Sequence, residues 1–242
     1  MHRSEPINNI GKSFHFKQFT VQGGSVGMPV STDGVMLGAW ADLSSAANLL
    51  DIGTGTGLLA LMCAQRSAEL DITAMDINDD AFHTAKLNAS QSPWSNRLHI
   101  QLGDILAYSP NQTFDIIICN PPYFNSGKVS DNQSRAIARH TDTLSHDALL
   151  AQCQSLLSPN GKASFILPSV EGKTFIETAK TTGWHLSRFC EVRPSMSKPP
   201  HRVLFELCHQ KSNSQLTELT IHEKQGYSED FIQLTQDFYL KM

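Results

Sequence analysis

Long hydrophobic runs are missing from this chain. Apolar stretches such as residues 116–119 and 59–64 fall far short of the roughly 20 residues that cross a bilayer, so no membrane helix is expected. Residues 1–11 are polar before any apolar cluster appears, unlike a secretory leader, and a cytoplasmic location is expected. Cysteine is scarce: Cys63, Cys119, Cys153, Cys190 and Cys208 are odd in number and far apart, which excludes a disulfide framework and suits thiols acting as small hydrophobes. The ten histidines form neither an H-E-x-x-H pattern nor a close His/Cys pair, and no metal is assigned. Positive charge is not in excess either. Nineteen basic against 23 acidic residues leave −4, which argues against a protein that coats nucleic acid non-specifically and leaves room only for a local basic face.

With 242 residues, 40% apolar and 17% charged, the chain suits one large folded domain with trimmings. Apolar segments alternate in type along it. Residues 48–51 read as a strand, Leu58–Arg66 as a helix, 72–75 as a strand and 79–91 as a helix. Leu98–Leu102 is a third strand, and the β-branched run Phe114–Cys119 reads as a central parallel strand covered on both faces. A helix over 145–157, a turn at Pro159-Asn160-Gly161, a strand over 162–167 and a helix over 171–182 follow. Strands 185–192 and Arg202–Cys208 flank a proline-containing loop and read as an antiparallel hairpin. The expectation is a doubly wound, Rossmann-like α/β fold: a mostly parallel seven-stranded sheet with helices on both faces and an antiparallel last strand. Residues 1–45 read as a hairpin and capping helix, 46–210 as the core, and 211–242 as a loop and a helix packed on it.

Chemistry is expected beyond the carboxyl ends of the strands, and two segments there stand out. In Asp51-Ile-Gly-Thr-Gly-Thr-Gly57 the glycines let the backbone turn tightly and approach a ligand closely. A dinucleotide fingerprint would need glycine at position 58, where Leu58 stands. The second segment, Asn120-Pro121-Pro122-Tyr123, follows the apolar strand directly. Its two prolines restrict the turn and leave carbonyls rigidly aimed, with the Asn120 side-chain carbonyl beside them. Such acceptors grip an amino group, and Tyr123 with Phe124 offers an aromatic face for a planar base.

The glycine segment resembles the first motif of class I S-adenosylmethionine-dependent methyltransferases. That resemblance implies S-adenosylmethionine as cofactor, held by Asp51, Gly53, Gly55 and Gly57. Asp76, 19 residues after Gly57, would hold the ribose hydroxyls with Ile77 next to it, and Asp104, with Ile105, would meet the adenine amino group. Asn120 would border the same cofactor. Asn-Pro-Pro-Tyr resembles the loop of amino-methyltransferases that modify adenine in nucleic acid or glutamine in protein.

Wider segments narrow the choice: Phe16-Lys17-Gln18-Phe19, Thr32-Asp33-Gly34, Leu37-Gly38-Ala39-Trp40, Gln91-Ser92-Pro93-Trp94, Pro200-His201-Arg202-Val203 and Phe238-Tyr239-Leu240. In this order and spacing they are similar to the bacterial tRNA (adenine-N6)-methyltransferase family that modifies the adenine 3′ of the anticodon in a valine tRNA. The resemblance implies a tRNA partner, with no membrane and no obligate protein partner. Between Lys180 and Arg202, five basic residues face one Glu191, a local +4; Lys198 and Arg202 there, and Arg135 and Arg139 after the catalytic loop, are candidates for RNA contact. A protein glutamine N5-methyltransferase and a non-catalytic nucleotide- or RNA-binding module are the alternatives. The former usually carries a separate helical domain before the core, where this chain has about 45 residues.

Overall fold

A computed structural model of the protein describes residues 12–23, 30–121, 144–224 and 226–241. After the hairpin β1 (Ser13–His15) and β2 (Thr20–Gln22) comes α1 (Thr32–Trp40), then the alternating core: β3 (Asn48–Ile52), α2 (Leu58–Arg66), β4 (Asp71–Asp76), α3 (Asp79–Ser90), β5 (Leu98–Leu102), β6 (Phe114–Cys119). It continues through α4 (His146–Leu156), β7 (Leu157–Pro168), α5 (Ser169–Thr181), β8 (His185–Ser195) and β9 (Arg202–Cys208), and ends with β10 (Gln215–Glu223), β11 (Gly226–Tyr227) and α6 (Glu229–Thr235). The main sheet runs β11-β10-β8-β9-β7-β6-β3-β4-β5.

The seven expected strands are all present, with β9 antiparallel to both β7 and β8. The segment expected to be only a loop and a helix adds two more: β10 pairs parallel to β8, and β11 folds back on it. Of β10's nine residues only Leu219 and Ile221 are buried, so its Thr-rich sequence lacks the apolar alternation that announces a strand. The expected turn at Pro159-Asn160-Gly161 is instead the irregular start of β7, where the pairing with β6 shifts between Phe114 and Ile116.

Local signals explain most boundaries. Ser31, Asn78, Ser145 and Ser228 cap α1, α3, α4 and α6 by accepting from a backbone N–H three residues on. Ile116, Ile117 and Ile118 of β6 are at most 2% exposed, because α1 and α2 cover one sheet face and α4 and α5 the other. On the α5 side, Gly172 lies so close to β9 that a Cβ there would stand 2.2 Å from Cγ2 of Val203. Val203 is stiff and fully buried. Gly172→Ala should therefore destabilise the fold by about 1–3 kcal/mol, the usual range for overpacking; an unchanged denaturation midpoint would show that α5 moves away freely. No helix among the described residues is long and apolar enough to cross a membrane.

Candidate active site

Two neighbouring strands set the site. Ile52 of β3 is the register partner of Cys119 of β6, so the glycine loop and Asn120-Pro121 leave the sheet side by side. Strand order reverses between β3 and β6, the point at which open α/β sheets bind ligands. Asp76, at the end of β4, pairs with Leu102 of β5 and adds the next positions along the same rim.

Gly53, Gly55 and Gly57 have φ of 69°, 58° and 82°, a backbone region open to glycine at little cost. The loop turns its N–H groups inward. Gly53 and Thr54 donate to the Met75 carbonyl at 2.9 and 3.0 Å, and Gly57 to that of Thr54 at 2.9 Å. Gly55 donates to Asp76 Oδ2 at 2.8 Å. Four donors that could have cradled a pyrophosphate are thus engaged, in keeping with Leu58 breaking the dinucleotide pattern. On the outer side, a Cβ on Gly53 or Gly55 would meet nothing within 4 Å; bare backbone faces open space where a ligand can lie against it.

Asp51 is fully buried and is tied to this loop through Thr54. Its Oδ2 accepts from Thr54 Oγ1 at 2.6 Å, while Oδ1 makes no bond of full hydrogen-bond geometry. Burial, with the Asp76 charge adding to it, pushes the carboxyl up from 3.8 to about 7 against the lowering effects of the Thr54 hydroxyl and the Ala60 N–H. The sign for stability follows by linkage. Between these two values the folded chain holds a proton that the unfolded chain has lost, so Asp51's contribution to stability falls as pH rises from about 4 to about 7 and is level above that. Asp51→Asn should flatten this part of a melting-temperature profile; a profile of unchanged slope would mean that the carboxyl titrates normally.

Further along the rim, half-buried Asp76 also accepts from the Asn78 N–H through Oδ1 at 2.9 Å. Exposed Asp104 accepts from the Leu106 N–H at 2.9 Å. Ile77 is 47% exposed, and so, at 48% and 36%, are Leu102 and Leu106. Apolar surface between two carboxylates suits a planar base on a ribose. Leu102 and Leu106 were not anticipated, because a leucine closing a strand or lying in the short helical turn after it reads as core until its exposure is known. Ile105, a candidate, has its side chain packed in the core with Met75 and Phe114 instead. Asn120 is half-buried and Pro121 buried; Pro122, Tyr123, Phe124, Arg135 and Arg139 lie outside the described residues.

The local basic surface is largely spoken for. Arg202 Nε donates to Asp33 Oδ2 at 2.7 Å, which ties β9 to the first turn of α1. Arg193 pairs with Glu218 at 2.8 Å and Lys180 with Glu177 at 2.8 Å. Arg188 lies 3.7 Å from Glu206, and its guanidinium sits 4.0 Å from the Trp40 ring centre. Lys198 is exposed in the β8–β9 turn. Since β9 is antiparallel to both β8 and β7, and β7, β6 and β3 are parallel, β8 runs with β3 and that turn stands on the same rim as the glycine loop. Among the described residues no group of three or more His, Cys, Asp or Glu could hold a metal ion.

Comparison with known proteins bears on this geometry. Residues 36–167 match a family model described as methyltransferase small domain. The chain is 58% identical to the tRNA1(Val) (adenine(37)-N6)-methyltransferase of Vibrio parahaemolyticus serotype O3:K6, over 96% of this chain and 97% of that protein. It is 54% identical to the protein of the same name from Vibrio cholerae serotype O1, with 96% and 97% covered. Among solved structures, a predicted O-methyltransferase, Atu636 from Agrobacterium tumefaciens, superposes with a TM-score of 0.66 at 16% identity, covering 85% of this chain and 96% of that one. The glycopeptide N-methyltransferase MtfA, complexed with S-adenosylmethionine, gives 0.56 at 12% identity, covering 74% and 88%.

Proposed function

Because this chain belongs to the tRNA1(Val) (adenine(37)-N6)-methyltransferase family, we propose that it methylates N6 of the adenine just 3′ of the anticodon in a valine tRNA, using S-adenosylmethionine. The observation that carries this reading is the register of Ile52 with Cys119: it sets an amine-gripping Asn120-Pro121 beside a glycine loop built for close backbone approach. The residues present fit the cofactor. Open space outside Gly53 and Gly55 accommodates its amino-acid end, and Asp76, Ile77, Leu102, Leu106 and Asp104 offer carboxylates for hydroxyl and amino groups around apolar surface. Asp51, buried and bonded to Thr54, supports the loop from within rather than gripping the cofactor directly.

When bound, the cofactor supplies an electrophilic methyl group on a sulfonium. The chain's own task is to make a poor nucleophile adequate. The lone pair of an exocyclic adenine nitrogen is delocalised into the ring; acceptors that hold its two N–H groups out of plane restore nucleophilic character without a strong base. Asn120 Oδ1 and the Pro121 carbonyl are those acceptors, and preorganised groups of this kind are typically worth a few kcal/mol. Pro121 and Pro122 donate no backbone N–H and so cannot compete for these carbonyls. Tyr123 and Phe124 follow in sequence with rings on which the base stacks. Bases of an anticodon loop are unpaired, which lowers the cost of presenting one. A tRNA substrate places the work in the cytoplasm, with Lys198 on the rim as an RNA contact.

Incubating the purified chain with methyl-labelled cofactor and valine tRNA, then analysing nucleosides by mass spectrometry, tests the assignment. Labelled N6-methyladenosine in the anticodon-loop fragment is expected. Label in protein glutamine instead, or none in RNA, would overturn it.

A further inference from the structure

Three consecutive residues of the glycine loop are each held by one side chain from a different element. Asp51 of β3 holds the Thr54 hydroxyl, Asp76 of β4 holds the Gly55 N–H, and Asn88 of α3 holds the Thr56 carbonyl, to which its Nδ2 donates at 2.8 Å. The first two belong to the motifs already assigned. Asn88 does not. It is 1% exposed, and the rest of its amide is used as a strand edge would be: Nδ2 also donates to the Gln22 carbonyl at 3.0 Å, and Oδ1 accepts from the Gln22 N–H at 2.9 Å. Both amide hydrogens and the carbonyl are therefore engaged.

The chain thereby joins two distant parts through one buried amide. Gln22 closes β2 of the amino-terminal hairpin, whose Phe16 and Phe19 stack and whose Phe19 packs edge-on against Trp94. Beside Asn88, Gln91 offers an independent tie to the same hairpin, accepting from Gln22 Nε2 at 2.7 Å on the exposed surface, but it makes no such bond to the loop. Thr56 precedes Gly57, where the backbone approaches Cα of Ala85 on α3 closely enough that an added Cβ would lie 3.5 Å from it. The loop's outer half is thus registered against α3 by one hydrogen bond and one close packing contact.

We propose that Asn88 is a positioning residue for the cofactor loop: it fixes the Thr56 carbonyl, and with it the bare backbone face of Gly53 and Gly55, only while the amino-terminal hairpin is docked. Cofactor affinity and hairpin docking are coupled through this side chain. The proposal rests on the reading of the loop as the S-adenosylmethionine site. Aspartate at 88 retains the acceptor for the Gln22 N–H and loses both donors, setting a carboxylate against two carbonyl oxygens. Alanine loses all three bonds and is the milder change.

Calorimetric titration of the full chain with S-adenosylmethionine, paired with steady-state methylation of tRNA, distinguishes the outcomes. Asn88→Asp, or Asn88→Ala should the aspartate variant fail to fold, is expected to raise Kd and KM for the cofactor about tenfold or more, equivalent to ~1.4 kcal/mol. At saturating cofactor kcat should stay within about twofold. A merely destabilising change would lower the active fraction, and so kcat, while leaving Kd alone. Gln91→Ala, which removes one exposed contact while Asn88 and the Phe19–Trp94 packing still hold the hairpin docked, should leave Kd unchanged. Equal Kd for wild type and the Asn88 variants would overturn the proposal, as would an equal rise in Gln91→Ala; a wild-type chain that does not bind the cofactor would overturn the reading of the loop itself.

Discussion

Replacing Asn120 by alanine is expected to slow methyl transfer about 10²–10³-fold, by analogy with the loss of one preorganised group at a charge-developing centre. The cofactor's Kd should change only a few-fold. The split follows from where Asn120 stands. It leaves β6 level with Gly53, but the glycine loop is held by Asp51, Asp76 and the Met75 carbonyl, none of which depends on Asn120. What disappears is the acceptor for one N–H of the adenine amino group, so the nitrogen relaxes toward its delocalised, unreactive geometry. The Pro121 carbonyl alone then remains to hold one proton. Asn120→Asp keeps an acceptor at the same place and should retain more activity than alanine. Single-turnover methylation with enzyme in excess reads the effect free of product release. A rate equal to wild type would remove Asn120 from the chemistry and leave the loop as a binding surface only.

How much of this was legible beforehand depends on how local the cause is. The glycine loop, the β6 run and Asn120-Pro121 could be read because each rests on residues adjacent in the chain: positive φ at Gly53, Gly55 and Gly57, three consecutive isoleucines, and a proline pair. The strand β10 could not, since an edge strand with two buried residues carries almost no periodic signal. The ion pair of Arg202 could not be read either, because its partner Asp33 lies 169 positions earlier and nothing near Arg202 in sequence announces the pairing. Asn88 was invisible for a related reason. In the helical segment around Lys86 and Ser90 a polar residue reads as solvent face, and only the docking of Gln22, 66 positions away, makes it a buried amide. Leu102 and Leu106 are the inverse case: residues whose type says core and whose exposure, 48% and 36%, says ligand surface. For β10, Arg202 and Asn88 the missing information was a contact between distant segments; for Leu102 and Leu106 it was the lack of one.

Loss of the Asp76 carboxylate should weaken cofactor binding more than any other change on the rim. Asp76→Ala removes two bonds to the protein at once, from the Gly55 N–H at 2.8 Å and the Asn78 N–H at 2.9 Å. The first shapes the loop; the second orients the chain entering α3, whose cap, Asn78, accepts in turn from Ala81. The same carboxylate retains lone pairs for the ribose hydroxyls. Hydrogen bonds to a charged group are each worth about 1.5–3 kcal/mol, so one or two lost to the cofactor give a roughly 10- to 10⁴-fold rise in Kd. Asparagine separates the contributions. Asp76→Asn can still accept at one oxygen from Gly55, keeping the loop in place, but an amide nitrogen replaces an acceptor on the other side. If its Kd lies near that of alanine, contact with the cofactor dominates; if it lies near wild type, the carboxylate matters chiefly as the loop's anchor. A Kd for Asp76→Ala equal to wild type, measured by calorimetry, would exclude both roles and move the ribose elsewhere along the rim. Removing Asp76 also removes a negative charge that raises the Asp51 carboxyl, so in this variant the pH-dependent loss of stability between about 4 and 7 should end at a lower pH.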